Sequence, residues 1–226
     1  MAIRDINTIY EQMRFIVRKE RGIYVTIDEA MQTLDSTQLD IFETLFKYFE
    51  NNQRIHDGLR PFSKSQSFTA SSTGTVSYQD DYMHFTGNAV TVVGSTLYKI
   101  KWTNSDEWAD ATRSQLRQPT STMAIAKDLG KDDLNNNVGG FQLCPFQALF
   151  GQYDYLRRPA TPVLAYTQVG RIITYDPINS TQLEWQDNYI NAIMFAALSY
   201  WGVNMDEDKL IQYTELQKQQ TQTQEP

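Results

Sequence analysis

The sequence is poor in the residues that much protein chemistry depends on. Of its 226 residues, one is cysteine (Cys144) and two are histidine (His56 and His84). A single cysteine excludes an internal disulfide framework and a thiolate zinc site. Two histidines supply little for transition-metal ligation. Phosphate-cradling runs of the form G-x-G-x-x-G or G-x-x-x-x-G-K-[ST] are missing, as is a G-x-S-x-G nucleophile elbow. No stretch approaches the roughly 20 apolar residues that span a bilayer. The longest candidate, Ala192 to Trp201, reads as a buried helix instead. The first residues, Met1-Ala2-Ile3-Arg4-Asp5, carry no apolar signal core, so the chain is expected to fold in a cytoplasm. Basic residues are also in deficit: 20 Lys and Arg against 27 Asp and Glu give a formal net charge of −7. Such a surface does not coat duplex nucleic acid as a whole, although a local basic patch stays open.

What is present is enough to build a core. The chain is 41% hydrophobic and 12% aromatic, and a chain of this length buries roughly 70% of its unfolded surface without staples. The expected class is α+β: N-terminal helices, a central and mostly antiparallel β zone, and a C-terminal helix pair packed on it. The whole is expected to form a single unit over residues 1–226, in three zones. In the helical zone, 1–60, Ile6, Ile9, Tyr10, Met13, Ile16 and Val17 recur at helical spacing, and Gly22 stops the helix. Thr26 with Glu29 fits a capping box opening a short helix through Leu34. Asp35 with Gln38 repeats that signature before a longer helix with Leu39, Phe42, Leu45, Phe46 and Phe49 on one face, ending near Gly58.

The β-rich zone, 61–180, opens with a Ser- and Thr-rich stretch, 63–77, read as a loop or extended arm. Strand-type residues follow (Val90, Val92, Leu97, Ile100, Trp102), with a hairpin turn at Gly94-Ser95. Asn104 with Glu107 caps a short helix carrying Trp108 and Leu116. Strands at Met123–Ala126 and Phe141–Cys144 flank a loop, Asp128 to Gly140, and a strand pair at 163–166 and 171–175 turns at Val169-Gly170. In the third zone, 181–226, Trp185, Tyr189, Ile193, Ala196 and Tyr200 share a helix face beside Ile190, Met194, Ala197 and Trp201. Asn204 with Glu207 caps a last helix, and a Gln- and Thr-rich tail, 217–226, closes the sequence.

Tests for specific chemistry fail. Asp133-Leu134-Asn135-Asn136-Asn137 begins like an EF-hand loop, but Val138 stands where the turn needs Gly and Cys144 where a bidentate Glu is needed. Cys144, between Leu143 and Pro145, reads as a small hydrophobe with no base beside it. The acidic pairs Asp80-Asp81 and Asp132-Asp133 are sequence neighbours that diverge in a strand and are solvated in a loop. Asn179-Ser180-Thr181 reads as the turn before the buried helix. No catalytic residue, cofactor site or metal site is assigned, and the chain is expected not to be an enzyme. Two features favour contacts with other macromolecules. Arg14, Arg18 and Arg21 lie at helical spacing opposite the apolar stripe, as an ordinary solvated face or as a contact to an acidic partner or nucleic acid. Tyr153, Tyr155, Arg157 and Arg158 cluster in Tyr153-Asp154-Tyr155-Leu156-Arg157-Arg158-Pro159, which reads either as core aromatics or as an interface, because Tyr and Arg are enriched at interface centres.

The order of landmarks carries a resemblance. Asp81-Tyr82-Met83-His84 precedes a strand pair; Asp106-Glu107-Trp108, a short helix and Pro119-Thr120 follow. Next come Tyr155-Leu156-Arg157-Arg158-Pro159 and Leu183-Glu184-Trp185, and last Tyr200-Trp201-Gly202-Val203-Asn204 with Asp206 to Tyr213. This layout, over about residues 80 to 216, resembles structural proteins of crAss-like short-tailed phages, in particular neck ring or head-to-tail connector proteins. The resemblance implies a virion protein made in the host cytoplasm, a protomer of a homo-oligomeric, twelve-fold ring stacked on the portal protein and meeting other neck and tail proteins. It implies proximity to genomic DNA, no membrane, no small-molecule substrate and no cofactor. The segment 63–77 and the tail would be arms ordered by neighbours. A non-catalytic binding module contacting nucleic acid or a partner through its N-terminal helices is the alternative.

Overall fold

The computed structural model describes residues 4–22, 24–49, 57–114, 118–132, 137–169 and 172–203. It is an α+β protein. Its contacts divide into two compact units: residues 1–61 with 159–226, and residues 62–158. The expected last helix and the Gln-rich tail lie outside the described residues, as do 133–136 of the calcium-like loop.

The first unit is built on helices α1 (Ile6–Arg21), α2 (Ile27–Phe46) and α4 (Asp187–Tyr200). The α1 stripe is buried as its spacing predicts, at Ile6, Ile9, Tyr10, Met13, Ile16 and Val17. Asp5 accepts the Asn7 amide at the start of that helix, and Gly22, at φ 66°, ends it in the left-handed region where glycine carries no Cβ penalty. Thr26 and Glu29 form both halves of the capping box. The helix they open is continuous to Phe46, not two helices parted at Asp35. No glycine or proline interrupts 27–46, and Gln38 turns inward rather than capping. Its Nε2 donates to Asp35 Oδ1 (2.8 Å) and to the Ala160 carbonyl (3.0 Å), and its Oε1 accepts from Trp185 Nε1 (3.2 Å). Phe42 meets the Trp185 ring edge-on, centroids 6.3 Å apart. The helix expected on the β zone, α4, has α2 and α1 as its helical neighbours. Ile190, Ile193, Met194, Ala197 and Leu198 are its buried residues, while Tyr200 is exposed.

The second unit is the β-rich body. Its strands are β1 (Ser63–Thr69), β2 (Thr75–Ser77), β3 (Tyr82–Val93), β4 (Thr96–Lys99), β5 (Lys101–Trp102), β6 (Ile125–Asp132), β7 (Asn137–Cys144) and β8 (Phe150–Arg157), with helix α3 (Ser105–Arg113) between β5 and β6. They form two four-stranded sheets, β1-β8-β3-β4 and β2-β7-β6-β5. Neighbours are antiparallel except β5 and β6, whose parallel pairing is spanned by α3. One strand run crosses between sheets at Ile100, whose amide donates to Ala89 O while the next amide, Lys101 N, donates to Ala124 O. The tight turn at Ser71–Gly74 joins the other ends. An aromatic core fills the space: Phe68, Tyr78, Tyr82, Phe141, Tyr153 and Tyr155 are buried, and Trp102 packs against them.

The segment 63–77 is therefore not an arm. β1 pairs with β8 from Ser63↔Leu156 to Thr69↔Phe150, and β2 pairs with β7. Its serines and threonines occupy strand positions except Ser71, Ser72 and Thr73 in the turn, and Phe68 and Val76 supply the inward side chains. The hairpin at Gly94-Ser95 forms as expected, with Val93 opposite Thr96. The flanks of the expected 128–140 loop are strand: β6 and β7 pair outward to Asp132↔Asn137. A strand pair does form before α4, in the first unit, but its first strand is β9 (Tyr166–Val169) rather than 163–166; its second, β10 (Ile172–Tyr175), stands where expected, and Val163 bridges Thr181 instead.

Candidate functional site

Within the first unit, a groove of about 320 Å³ runs along one edge of α1. Asn7, Tyr10, Glu11 and Arg14 stand one helical turn apart along it, and Tyr24 and Ile27 border it. Tyr166 and Tyr175, opposite each other in the β9–β10 register, line it as well, with Leu164 buried beside them. Tyr10 and Tyr175 are held by specific bonds. Tyr10 Oη donates to Val25 O (3.3 Å), and Tyr175 Oη donates to Asp5 Oδ1 (2.6 Å) while accepting from Gln182 Nε2 (3.1 Å). Burial, foremost, pushes both phenols above the usual tyrosine range, and the bond to Asp5 adds to this for Tyr175. Tyr24 is 71% exposed and free to meet a partner. Arg14 Nη1 pairs with Glu11 Oε1 at 3.1 Å, which orients its guanidinium along the groove wall.

Of the other basic residues on α1, Arg18 is exposed, and Arg21 directs Nε and Nη2 to the Gly202 carbonyl past the end of α4. The arginine spacing thus marks three different roles: groove wall, solvated face and helix-end cap. Only Arg14 belongs to the groove.

The second predicted cluster splits. Tyr153 and Tyr155 are 1% and 2% exposed and belong to the core of the β unit, so they are not interface residues. Alternation along β8 sends both rings inward, among Phe68, Phe141 and Tyr82. Arg157 lies over the Phe62 ring, 5.5 Å from its centroid, and the Arg158 amide donates to Asp81 O at 2.7 Å. Arg158 remains exposed, while Arg157 is half-buried. Asp81 ties this edge together: its carboxylate accepts from Lys64 Nζ (2.6 Å) and Tyr155 Oη (2.8 Å).

Cys144 packs with Trp108 and Ile125, and desolvation pushes its thiol above the ordinary range. That is the reverse of what activates a thiolate nucleophile. No group of three His, Cys, Asp or Glu side chains suited to a metal ion occurs among the described residues. No described helix is long and apolar enough to cross a membrane.

Tyr24, Tyr166 and Tyr175 escape sequence reasoning. Each is an unremarkable aromatic in its own segment. The one available signal was the strand pair itself, whose register sets Tyr166 opposite Tyr175.

Comparison with known protein families and with curated proteins finds no match to this chain.

Proposed function

We propose that this chain is a non-enzymatic structural protein of a short-tailed phage virion, the protomer of a homo-oligomeric ring that joins the portal to the tail. Two things support the reading. The first is the residue layout over 80–216, which resembles neck ring proteins. The second is the groove beside α1, and it carries the binding half of the proposal. Four tyrosines and an arginine line a concave surface, and Tyr10, Tyr175 and Arg14 in it are held by hydrogen bonds. Tyr supplies large contact area at modest entropic cost, and Tyr and Arg are enriched at interface hot spots. Prior ordering also lowers the entropy lost on docking. A cyclic ring needs such a face to meet a different face on the next subunit.

The test is electron microscopy of the full chain mixed with the portal protein of its source phage. The expected outcome is a ring stacked on the portal, twelve-fold as the resemblance implies, and replacement of Tyr24 and Arg14 by alanine should reduce incorporation by at least about tenfold. A chain that stays off the portal, or is missing from purified particles by mass spectrometry, overturns the reading. Salt-sensitive DNA retention lost when Arg14, Arg18 and Arg21 are replaced would favour a nucleic-acid module instead.

A further inference from the structure

The loop after β10 displays a side chain in an unusual way. Ile178 is 90% exposed, more than any other large hydrophobic residue among those described. Exposed single hydrophobes are common on mobile loops, but this loop is tightly built. Asp176 Oδ1 accepts the amides of Ile178 (3.1 Å) and Asn179 (3.3 Å), and Asn179 Nδ2 donates to Asp176 Oδ2 (2.6 Å). Ser180 Oγ donates to Asp176 O (2.6 Å) and accepts the Ala165 amide (2.9 Å). Backbone bonds between Val163 and Thr181 close its base, and Pro177 fixes its own φ. Ile178 is thus presented on a frame that needs no further ordering to dock. The Asn179 bonds, chiefly, hold the Asp176 carboxyl below the usual carboxylate range, so a negative charge stands two residues from the knob.

The β unit offers a matching cavity. A cleft of about 580 Å³ is lined by Phe85, Gly87, Lys99, Ile100, Lys101 and Trp102. It lies where sheet regularity lapses. The pairing of β3 with β8 slips between Phe85 and Ala89, Gly87 sits at φ 83°, and the neighbouring strand changes sheets at Ile100. The Phe85 and Trp102 rings, centroids 4.2 Å apart, give the cleft an aromatic wall. Lys99 and Lys101 are exposed and both line the cleft, although Lys101 also sits 3.5 Å from Glu107. On a chain of net charge −7, this is a local positive rim around an apolar hole.

We propose that Ile178 of one copy inserts into the Phe85–Trp102 cleft of a second copy, with Asp176 facing Lys99 and Lys101. The occupant is a second copy because knob and hole are carried by the same sequence and complement each other in both polarity and charge. The two surfaces differ, so the contact is heterologous and leaves one copy with an unused hole and the other with an unused knob, the condition for a closed ring or an open filament. The inference deepens the ring reading and rests on it.

The full chain is examined by sedimentation, alone and assembled on the portal. Ile178→Asp is expected to weaken self-association at least about tenfold and to leave thermal unfolding unchanged, since the side chain makes no packing contribution where it stands. In parallel, chains carrying Ile178→Cys are mixed with chains carrying Lys99→Cys, both with Cys144→Ser. A disulfide-linked pair on a non-reducing gel is expected only from the mixture. Self-association untouched by Ile178→Asp, or no mixed cross-link either alone or on the portal, overturns this contact. Whether the wild-type chain enters portal rings is scored separately, so the contact can fail while the ring reading stands.

Discussion

Gln38 shows how much a single buried polar side chain can organise. It is fully buried, yet its amide is satisfied on both ends, by Trp185 Nε1, the Ala160 carbonyl and Asp35. Residues far apart in the chain are thereby fixed to one helix of the first unit. Replacing it with leucine keeps approximate volume but leaves an indole N–H and a carbonyl without that partner. The expected cost is about 1–3 kcal/mol, the usual penalty for orphaned buried polar groups. Chemical denaturation of Gln38→Leu, with an unchanged slope and a lowered midpoint, checks it. A midpoint equal to wild type would show that water reaches these groups.

Among elements, the edge formed by β1, the segment before β3, and β8 is held through Asp81. Burial, the largest influence, works against its charge. The hydrogen bonds from Lys64 and Tyr155, with the charges of Lys64 and Arg157, outweigh it and leave the carboxyl below the ordinary value. The same contact, after burial, helps push the Tyr155 phenol above its usual range. A carboxyl whose folded pKa is depressed contributes stability that is present above its unfolded value of about 3.9 and is lost as pH falls through the folded value. Unfolding free energy is therefore expected to be insensitive to this group near neutrality and to drop on acidification below about pH 4. Asp81→Asn should lower stability at neutral pH and flatten that acid limb. Urea melts between about pH 2.5 and 7 measure both, and an acid limb as steep as wild type would mean that Asp81 does not carry it.

For the whole molecule, the two units differ in how the chain builds them. The β unit is one continuous stretch, Phe62–Arg158, while the first unit needs segments from both sides of it. The β unit carries its own aromatic core and its own strand pairings. A fragment of residues 62–158 is expected to fold alone with a single cooperative transition and a near-ultraviolet dichroism signal from its packed aromatic rings. A fragment with strand content but no cooperative melt would show that the β unit depends on the rest of the chain. The heterologous contact proposed for Ile178 belongs to this scale too, since a knob from one unit and a hole in the other let one chain type serve as both partners.

Local chemistry made several elements legible in advance. The α1 stripe, the Thr26–Glu29 box, the Asn104 cap and the Gly94-Ser95 hairpin all stand where the residues put them, because each depends on contacts within a few positions. The same local logic divided α2 at Asp35, since Asp at i and Gln at i+3 look alike as a cap and as a pair within a helix. Long-range pairing decided what lay beyond that reach. The polar stretch 63–77 became two strands joined by a turn because β8 and β7 satisfy the backbone of 63–69 and 75–77. On β3 the buried residues after Tyr82 are Ala89 and Thr91 rather than Val90 and Val92, because the one-residue slip between Tyr82 and His84 moves the inward face from even to odd positions. Tyr153 and Tyr155 turned inward for a related reason: β8 lies between β1 and β3, and its register chose the face. Among the described residues, the sequence by itself determined which segments would be helix and, through the Thr26 and Asn104 caps, where α2 and α3 begin. Only tertiary structure decided which aromatic rings form core and which form surface, since strand residues differ in face by one position of register.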